Sequence, residues 1–238
     1  MKPHVRFHLR ALKDSGVEIV FVLVVDKALE QPIATPEGLL RGLVVRRNAG
    51  FDFGAWADAF RIFPELWSAD AVILVNDSVF GPVTGTFGNL IAATLAQPAD
   101  FIGLVESTEH RRHFQSYFLV LKGRALSDPR SHAFWRGVRN QREKWSVVDR
   151  YELRLLGTYE GFGCKCLALL TWRHVPGYSK INPTHALWRD LIKHGFPYLK
   201  VDLMRQAPPD YIKGWRDAVT SPELRRIIED YMFQSRRA

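Results

Sequence analysis

The sequence predicts an α/β fold, a mixed and mostly parallel sheet flanked by helices. Two observations carry this. The apolar run Ala71-Val-Ile-Leu-Val75 and the β-branched run from Glu18 to Val25 lack the polar alternation of a half-exposed strand, so both suit strands covered on two faces. Segments with apolar residues at helical spacing stand before and after them, at Pro3–Lys13, 55–63 and 87–95.

In order, Val5, Leu9 and Leu12 form a helical stripe that Asp14-Ser15-Gly16 stops. The strand to Val25 ends at Asp26, and a Pro-containing loop, Gln31 to Pro36, leads to a short strand at Leu43-Val44-Val45. A helix is expected from Ala55 to Phe63, then the strand from Ala71, a helix from Phe87 to Leu95 and a strand from Asp100 to Val105. A polar loop, Glu106 to His113, precedes one strand from Phe114 to Leu121. Asp128-Pro129 opens a helix to about Gln141, and Cys164 to Trp172 reads as a strand. Asn182-Pro183-Thr184 caps a helix to His194, Pro197 to Val201 is extended, and Pro209 to Ala238 reads as two short helices ending in Arg236-Arg237. The expected organisation is one domain over residues 1–205 and a helical C-terminal extension over 206–238.

Composition bounds the function. With 238 residues, 47% hydrophobic and 24% charged, the chain is long enough for one sizeable core. Its formal charge of +8 favours anionic partners: nucleic acid, phosphorylated ligands or an acidic membrane surface. Cys164 and Cys166 form a C-x-C without further cysteine, which reads as core packing. No secretory signal is expected, since His4 to Lys13 is charged throughout, and Ile19 to Val25 is too short to span a bilayer. The expectation is a cytoplasmic chain.

Chemistry concentrates at strand ends. Asn76-Asp77-Ser78 follows the Ala71–Val75 strand directly, where open α/β sheets bind ligands, and Gly81-Pro82 ends the extension. The same triplet also suits a polar turn closing a core strand. Arg46-Arg47-Asn48-Ala49-Gly50-Phe51-Asp52-Phe53-Gly54 joins a strand to a helix start, with glycines that permit close approach of a ligand, so it reads as a phosphate site or as a turn with solvent-facing arginines. Gln115, Ser116 and Tyr117 are polar groups inside an apolar strand and need partners. His113, His174 and His185 have no second ligand at metal-binding spacing, and Trp56, Trp135 and Trp188 fall on expected helices as packing residues.

Taken together, Arg47-Asn48-Ala-Gly50-Phe-Asp52-Phe-Gly54, Asn76-Asp77-Ser78-Val-Phe-Gly81-Pro82, His113-Phe-Gln115-Ser116-Tyr117-Phe118, Tyr151-Glu152 and Asn182-Pro183-Thr184 resemble the rhamnan synthesis protein F family over about residues 5 to 205. The resemblance implies a Rossmann-like GT-A-type fold that binds a nucleotide-sugar, lacking here the usual first strand because a helix follows Met1. It implies donor contacts from Arg47, Asn48, Gly50, Asp52, Asn76, Asp77 and Ser78, with Asp77 holding a divalent cation, Mg2+ or Mn2+. His113, Gln115, Ser116 and Tyr117 would line the sugar or acceptor pocket. Glu152 would be the catalytic base, with Asp149 in reserve.

Two functions follow. The first is transfer of a sugar, L-rhamnose from dTDP-L-rhamnose with inversion, to a cell-surface polysaccharide or lipid-linked glycan at the cytoplasmic membrane face, with peripheral contact to anionic lipid. The second is a catalytically inactive relative that binds glycan or nucleic acid. Nucleic acid is not expected as a partner, since the arginines form no stripe with interleaved aromatics.

Overall fold

Three apolar runs, Ala71–Val75, Phe101–Ser107 and Phe118–Lys122, lie side by side at the centre of the protein, each with side chains that need cover on both faces. The computed structural model describes residues 1–27, 37–171 and 181–235. The loop over 31–36, Trp172, His174 and Arg236-Arg237 lie outside the described residues.

The chain opens with α1 (Pro3–Asp14), β1 (Val20–Val25), β2 (Gly42–Arg47) and α2 (Phe51–Ile62). A 3-10 turn leads to β3 (Ala71–Val75), β4 (Val79–Phe80), α3 (Phe87–Leu95), β5 (Phe101–Ser107), β6 (His113–Phe114) and β7 (Phe118–Lys122). Then come α4 (Arg124–Ser127), α5 (Pro129–Gly137), α6 (Lys144–Val147), a π-helical turn over Val148–Glu152, α7 (Leu153–Gly161) and β8 (Cys166–Leu170). Last are α8 (Pro183–Ala186), α9 (Trp188–Lys193), β9 (Leu199–Lys200), α10 (Val201–Gln206), α11 (Trp215–Ala218) and α12 (Pro222–Ser235). Asn182 caps α8 as expected, its side chain accepting from Thr184 N–H. The helix expected from Ala55 starts at Phe51, after Gly50 takes a left-handed turn at φ 75°, and α5 stops at Gly137, where Val138 turns extended.

β3 pairs antiparallel with β7, β7 antiparallel with β5, and β8 joins β5 in parallel. β1 and β2 form a separate parallel ladder. The expectation of a mostly parallel sheet is therefore corrected: β3, β5 and β8 share a direction, but β7 runs against them between β3 and β5. The cause is a hairpin. The loop over 108–112 turns the chain straight back, with no crossover helix between β5 and its neighbour. β1, expected to be buried, is half-buried along its length, and Leu43 and Val45 of β2 are exposed, because among the described residues no further strand pairs with this ladder.

Helices cover both faces of the central sheet. Val72, Leu74, Leu119 and Leu121 enter one core with Phe53, Trp56, Trp135 and Tyr159 of α2, α5 and α7. Ile102, Leu104, Phe118 and Val120 enter a second with Leu9 and Leu12 of α1 and Phe87 of α3. Each fully buried aliphatic or aromatic side chain contributes about 1.5–3 kcal/mol, and β5 and β7, the latter buried from Phe118 to Leu121, carry the most of them among the strands. A third core joins Phe80, Val83 and Leu199 to Leu203, Trp215, Leu224 and Ile228, so α10–α12 pack onto β4 and β9. An Arg10–Glu223 ion pair links α1 to α12. No helix among the described residues is long and apolar enough to cross a membrane.

The single strand expected over Phe114–Leu121 is also corrected. The ladder breaks between Glu106↔Phe114 and Gly103↔Leu119, so Leu104–Val105 stand opposite the longer stretch Gln115–Phe118, and the surplus residues bulge out. Gly103 makes room for this: a Cβ there would lie 2.5 Å from the Phe114 ring.

α1 buries His4 and His8 beside its leucines. His8 Nε2 shares a 2.9 Å hydrogen bond with Tyr198 Oη, and burial, then the nearby His4, pushes its pKa down to about 4. A histidine with a depressed folded pKa takes up protons more readily when unfolded. Its contribution is intact above about pH 6.5 and is lost as pH falls towards 4. Between pH 6.5 and 5 this costs about 2 kcal/mol. Denaturant titrations should show that loss in the native chain and a smaller one, by about that amount, in His8→Gln.

Candidate active site

β3 ends at Val75, and the polar triplet after it is fixed by its own side chains. Asn76 Oδ1 accepts from Ser78 N–H at 3.1 Å and from Ser78 Oγ at 2.6 Å, a local Asx turn. Asn76 Nδ2 donates to Asp52 Oδ2 at 2.9 Å, tying the triplet to the first turn of α2. The polar-turn and site readings therefore meet in one residue. Burial raises the Asp52 pKa to about 6, the charges of Asp77 and Glu152 add to this, and the Asn76 bond and Lys200 oppose it.

Glu152 sits at the last position of the π-helical turn, just ahead of α7, and its Oε1 accepts the Ser116 backbone N–H at 3.0 Å. Ser116 is in the bulge, where the ladder gives its N–H no strand partner. Gln115 Nε2 donates to Asn182 Oδ1 at 2.9 Å, and Asn182 Oδ1 also accepts from Thr184. Tyr117 Oη donates to Gln115 Oε1 at 3.4 Å, and His113 is buried with Nδ1 on the Arg111 carbonyl at 2.8 Å. Asp52, Asn76, Asp77, Ser78, Ser116 and Glu152 thus form one group, supported by Gln115, Tyr117 and Asn182. Asp149 is not brought into it: half-exposed, it pairs with Arg154 at 3.5 Å.

The sequence reading missed Lys200, Lys2 and His4. β9 pairs antiparallel with β4, placing Lys200 opposite Val79, and Val201 N–H donates to the Ser78 carbonyl at 2.9 Å. Gly81 admits this approach, since a Cβ there would lie 2.4 Å from the Tyr198 ring. Lys200 Nζ donates to Ser78 Oγ at 3.0 Å and lies 4.7 Å from the centre of the Tyr117 ring. Burial lowers its pKa to about 8, against the raising effect of Glu152, Asp202 and Asp52. Just before α1, Lys2 Nζ pairs with Asp77 Oδ2 at 2.7 Å, and in α1 His4 Nε2 lies 3.1 Å from the Asp77 carbonyl oxygen. The available signal was a lone lysine between Leu199 and Val201 in an otherwise apolar extended segment.

The loop before α2 differs from its expected role. Arg46 pairs with Asp58 at 2.8 Å and reaches Asn140, leaving Arg47 as the exposed arginine. Asn48 Nδ2 donates to Asp26 Oδ1 at 3.0 Å. The space beside Gly50 and Gly54, expected to admit a ligand, is filled by Asn140: its Oδ1 would lie 2.2 Å and 2.6 Å from a Cβ at the two glycines.

One oxygen of each carboxylate here, and the Asn76 amide oxygen, are already engaged. Asp77 holds the Lys2 ammonium, Asn76 Oδ1 holds Ser78, and Asp52 Oδ2 holds the Asn76 amide. Among the described residues no group of three or more His, Cys, Asp or Glu side chains converges as a metal site. This set is too sparse for a resident cation: with one Asp77 oxygen on Lys2, the other is the donor left to a cation that arrives with its own ligands.

The charges of this group are coupled, and the coupling has a sign. Removing the Glu152 charge takes a repulsive neighbour from Asp52 and an attractive one from Lys200. In Glu152→Gln, NMR titration should show the Asp52 carboxyl titrating below its value of about 6 and the Lys200 ammonium below about 8.

A comparison with known families matches residues 24–231 to the model of rhamnan synthesis protein F, so the match runs into α12. The virulence protein VirA of Vibrio anguillarum is 30% identical over 222 residues, covering 79% of this chain and 67% of that protein. An uncharacterised protein, y4gN, of Sinorhizobium fredii is 26% identical, covering 52% of this chain and 34% of its own length. No solved structure matches. With most of its length, including Asp52, Asn76, Asp77, Ser78, Glu152 and Lys200, inside the family match, the chain belongs to the rhamnan synthesis protein F family, whose role is glycosyltransferase-like.

Proposed function

We propose that the chain transfers a sugar from a nucleotide-sugar to a hydroxyl of a cell-surface polysaccharide or lipid-linked glycan, with inversion at the anomeric carbon. The sugar proposed is L-rhamnose from dTDP-L-rhamnose, on the strength of the family's description as rhamnan synthesis proteins. The observation that carries the reading is Glu152, fixed by Ser116 N–H beside the Asp52, Asn76 and Lys200 group. In the proposed reaction the acceptor oxygen attacks the anomeric carbon and its proton passes to Glu152. The bond from that carbon to the phosphate oxygen breaks, and its electron pair leaves with the nucleoside diphosphate.

Asn76, Asp77 and Ser78, at the end of β3, are the proposed contacts to the donor, with Asp52, Arg47 and Asn48 on its nucleotide side. A Mg2+ or Mn2+ ion, where one takes part, would come with the donor and neutralise diphosphate charge. The proposed place of action is the cytoplasmic membrane face, where a formal charge of +8 favours anionic lipid.

The test is release of nucleoside diphosphate from a panel of nucleotide-sugars, with and without glycan acceptors. Glu152→Gln should lower kcat by about 100- to 10,000-fold with little change in KM for the donor, whereas Asp149→Asn should stay near the native value. Full turnover by Glu152→Gln would remove Glu152 as the base. Glycan binding with no turnover of any donor by the native protein would favour a binding module instead.

A further inference from the structure

The Lys200 ammonium is incompletely partnered for a charge held away from water. It has three N–H donors, and among the described residues its one hydrogen bond goes to Ser78 Oγ. The Tyr117 ring covers a second side at 4.7 Å. Asp52, Glu152 and Asp202 are close enough to influence its charge, yet none of them closes to an ion pair with it. A partly buried ammonium without a counter-ion is costly, and an anion docking against it would remove that cost. The position is specific: Lys200 is held opposite Val79 by the β4–β9 register, one strand residue past Ser78.

We infer that Lys200 is the cation that binds the diphosphate of the donor and takes up the charge that develops on it as the sugar leaves. This rests on the reading of the chain as a glycosyltransferase and deepens it. When the bond from the anomeric carbon to the phosphate oxygen breaks, the electron pair stays on that oxygen. The Lys200 N–H left free by Ser78 donates a hydrogen bond to the diphosphate, and no proton needs to transfer. Lys2, already on Asp77, supplies a second positive charge at the same strand end. Two lysines thus stand where the donor set fails to assemble a metal site.

The test uses dTDP and inorganic pyrophosphate as probes, by calorimetry in EDTA at pH 7. The native protein should bind both, and Lys200→Met, which keeps the apolar stem, should bind both about 10- to 100-fold more weakly. Pyrophosphate competing with dTDP places the contact on the phosphates, and an isoprenoid diphosphate that fails to compete separates the donor from a lipid-linked acceptor as its source. If Lys200→Met does not fold, amine-reactive labelling of the native protein mapped by mass spectrometry carries the same question: saturating dTDP should protect Lys200. Unchanged affinity in Lys200→Met, equal labelling with and without dTDP, or binding that needs Mg2+ and is lost in Asp77→Ala alone would each overturn the inference. Lys200-dependent diphosphate binding without turnover of any nucleotide-sugar would leave this site standing and sink the enzymatic reading. Turnover that Lys200→Met retains would do the reverse.

Discussion

A backbone N–H inside a packed sheet must find an acceptor, and the Ser116 N–H finds Glu152. The bulge that frees it follows from Gly103, which lets the Phe114 ring lie against β5 and so leaves surplus residues between β6 and β7. Once Ser116 turns out of the ladder, its neighbours need partners too. Gln115 takes Asn182, and Tyr117 takes Gln115. One interrupted ladder therefore fixes a carboxylate, sets an aromatic ring below an ammonium and ties in the loop before α8. The cost of an unpaired buried amide, about 1–3 kcal/mol, is what makes this arrangement specific.

The charges answer to the same geometry. Asp77 and Glu152 each repel Asp52, and burial of Asp52 itself adds to them in raising its pKa. Lys200 and Lys2 offset part of that repulsion in different ways. Lys2 meets Asp77 in a pair exposed by half or more on both sides, which is worth at most about 1 kcal/mol and is readily exchanged. Lys200 lies deeper, where salt screens it less and where its charge is felt by several carboxylates at once. The exchangeable lysine and the fixed one thus have separate physical roles at one strand end.

Much of this was legible from local pattern. β3 and α3 lie where apolar runs place them, and Asn182 caps its helix because a side-chain oxygen one residue before Pro183 can do little else. Asn76, Asp77 and Ser78 were legible as a polar strand end. Lys200 was not, because its meaning comes from a register with β4 that no nearby residue encodes. The reversal of β7 was hidden for a related reason: a strand buried on both faces has the same composition whichever way its neighbour runs. Gly50 and Gly54 read as room for a ligand, and the room was for Asn140, which is distant in sequence.

The site draws on both ends of the described chain. Lys2 reaches Asp77 across 75 residues and Lys200 reaches Ser78 across 122, while α12 returns to α1 through Arg10 and Glu223. Contacts of this sequence separation carry a larger loop-closure cost than local ones. During synthesis on the ribosome, Asp52, Asp77 and Glu152 all emerge before Lys200 does. The carboxylates therefore wait without the buried lysine that offsets them, and the charge centre becomes complete only when the segment carrying β9 docks.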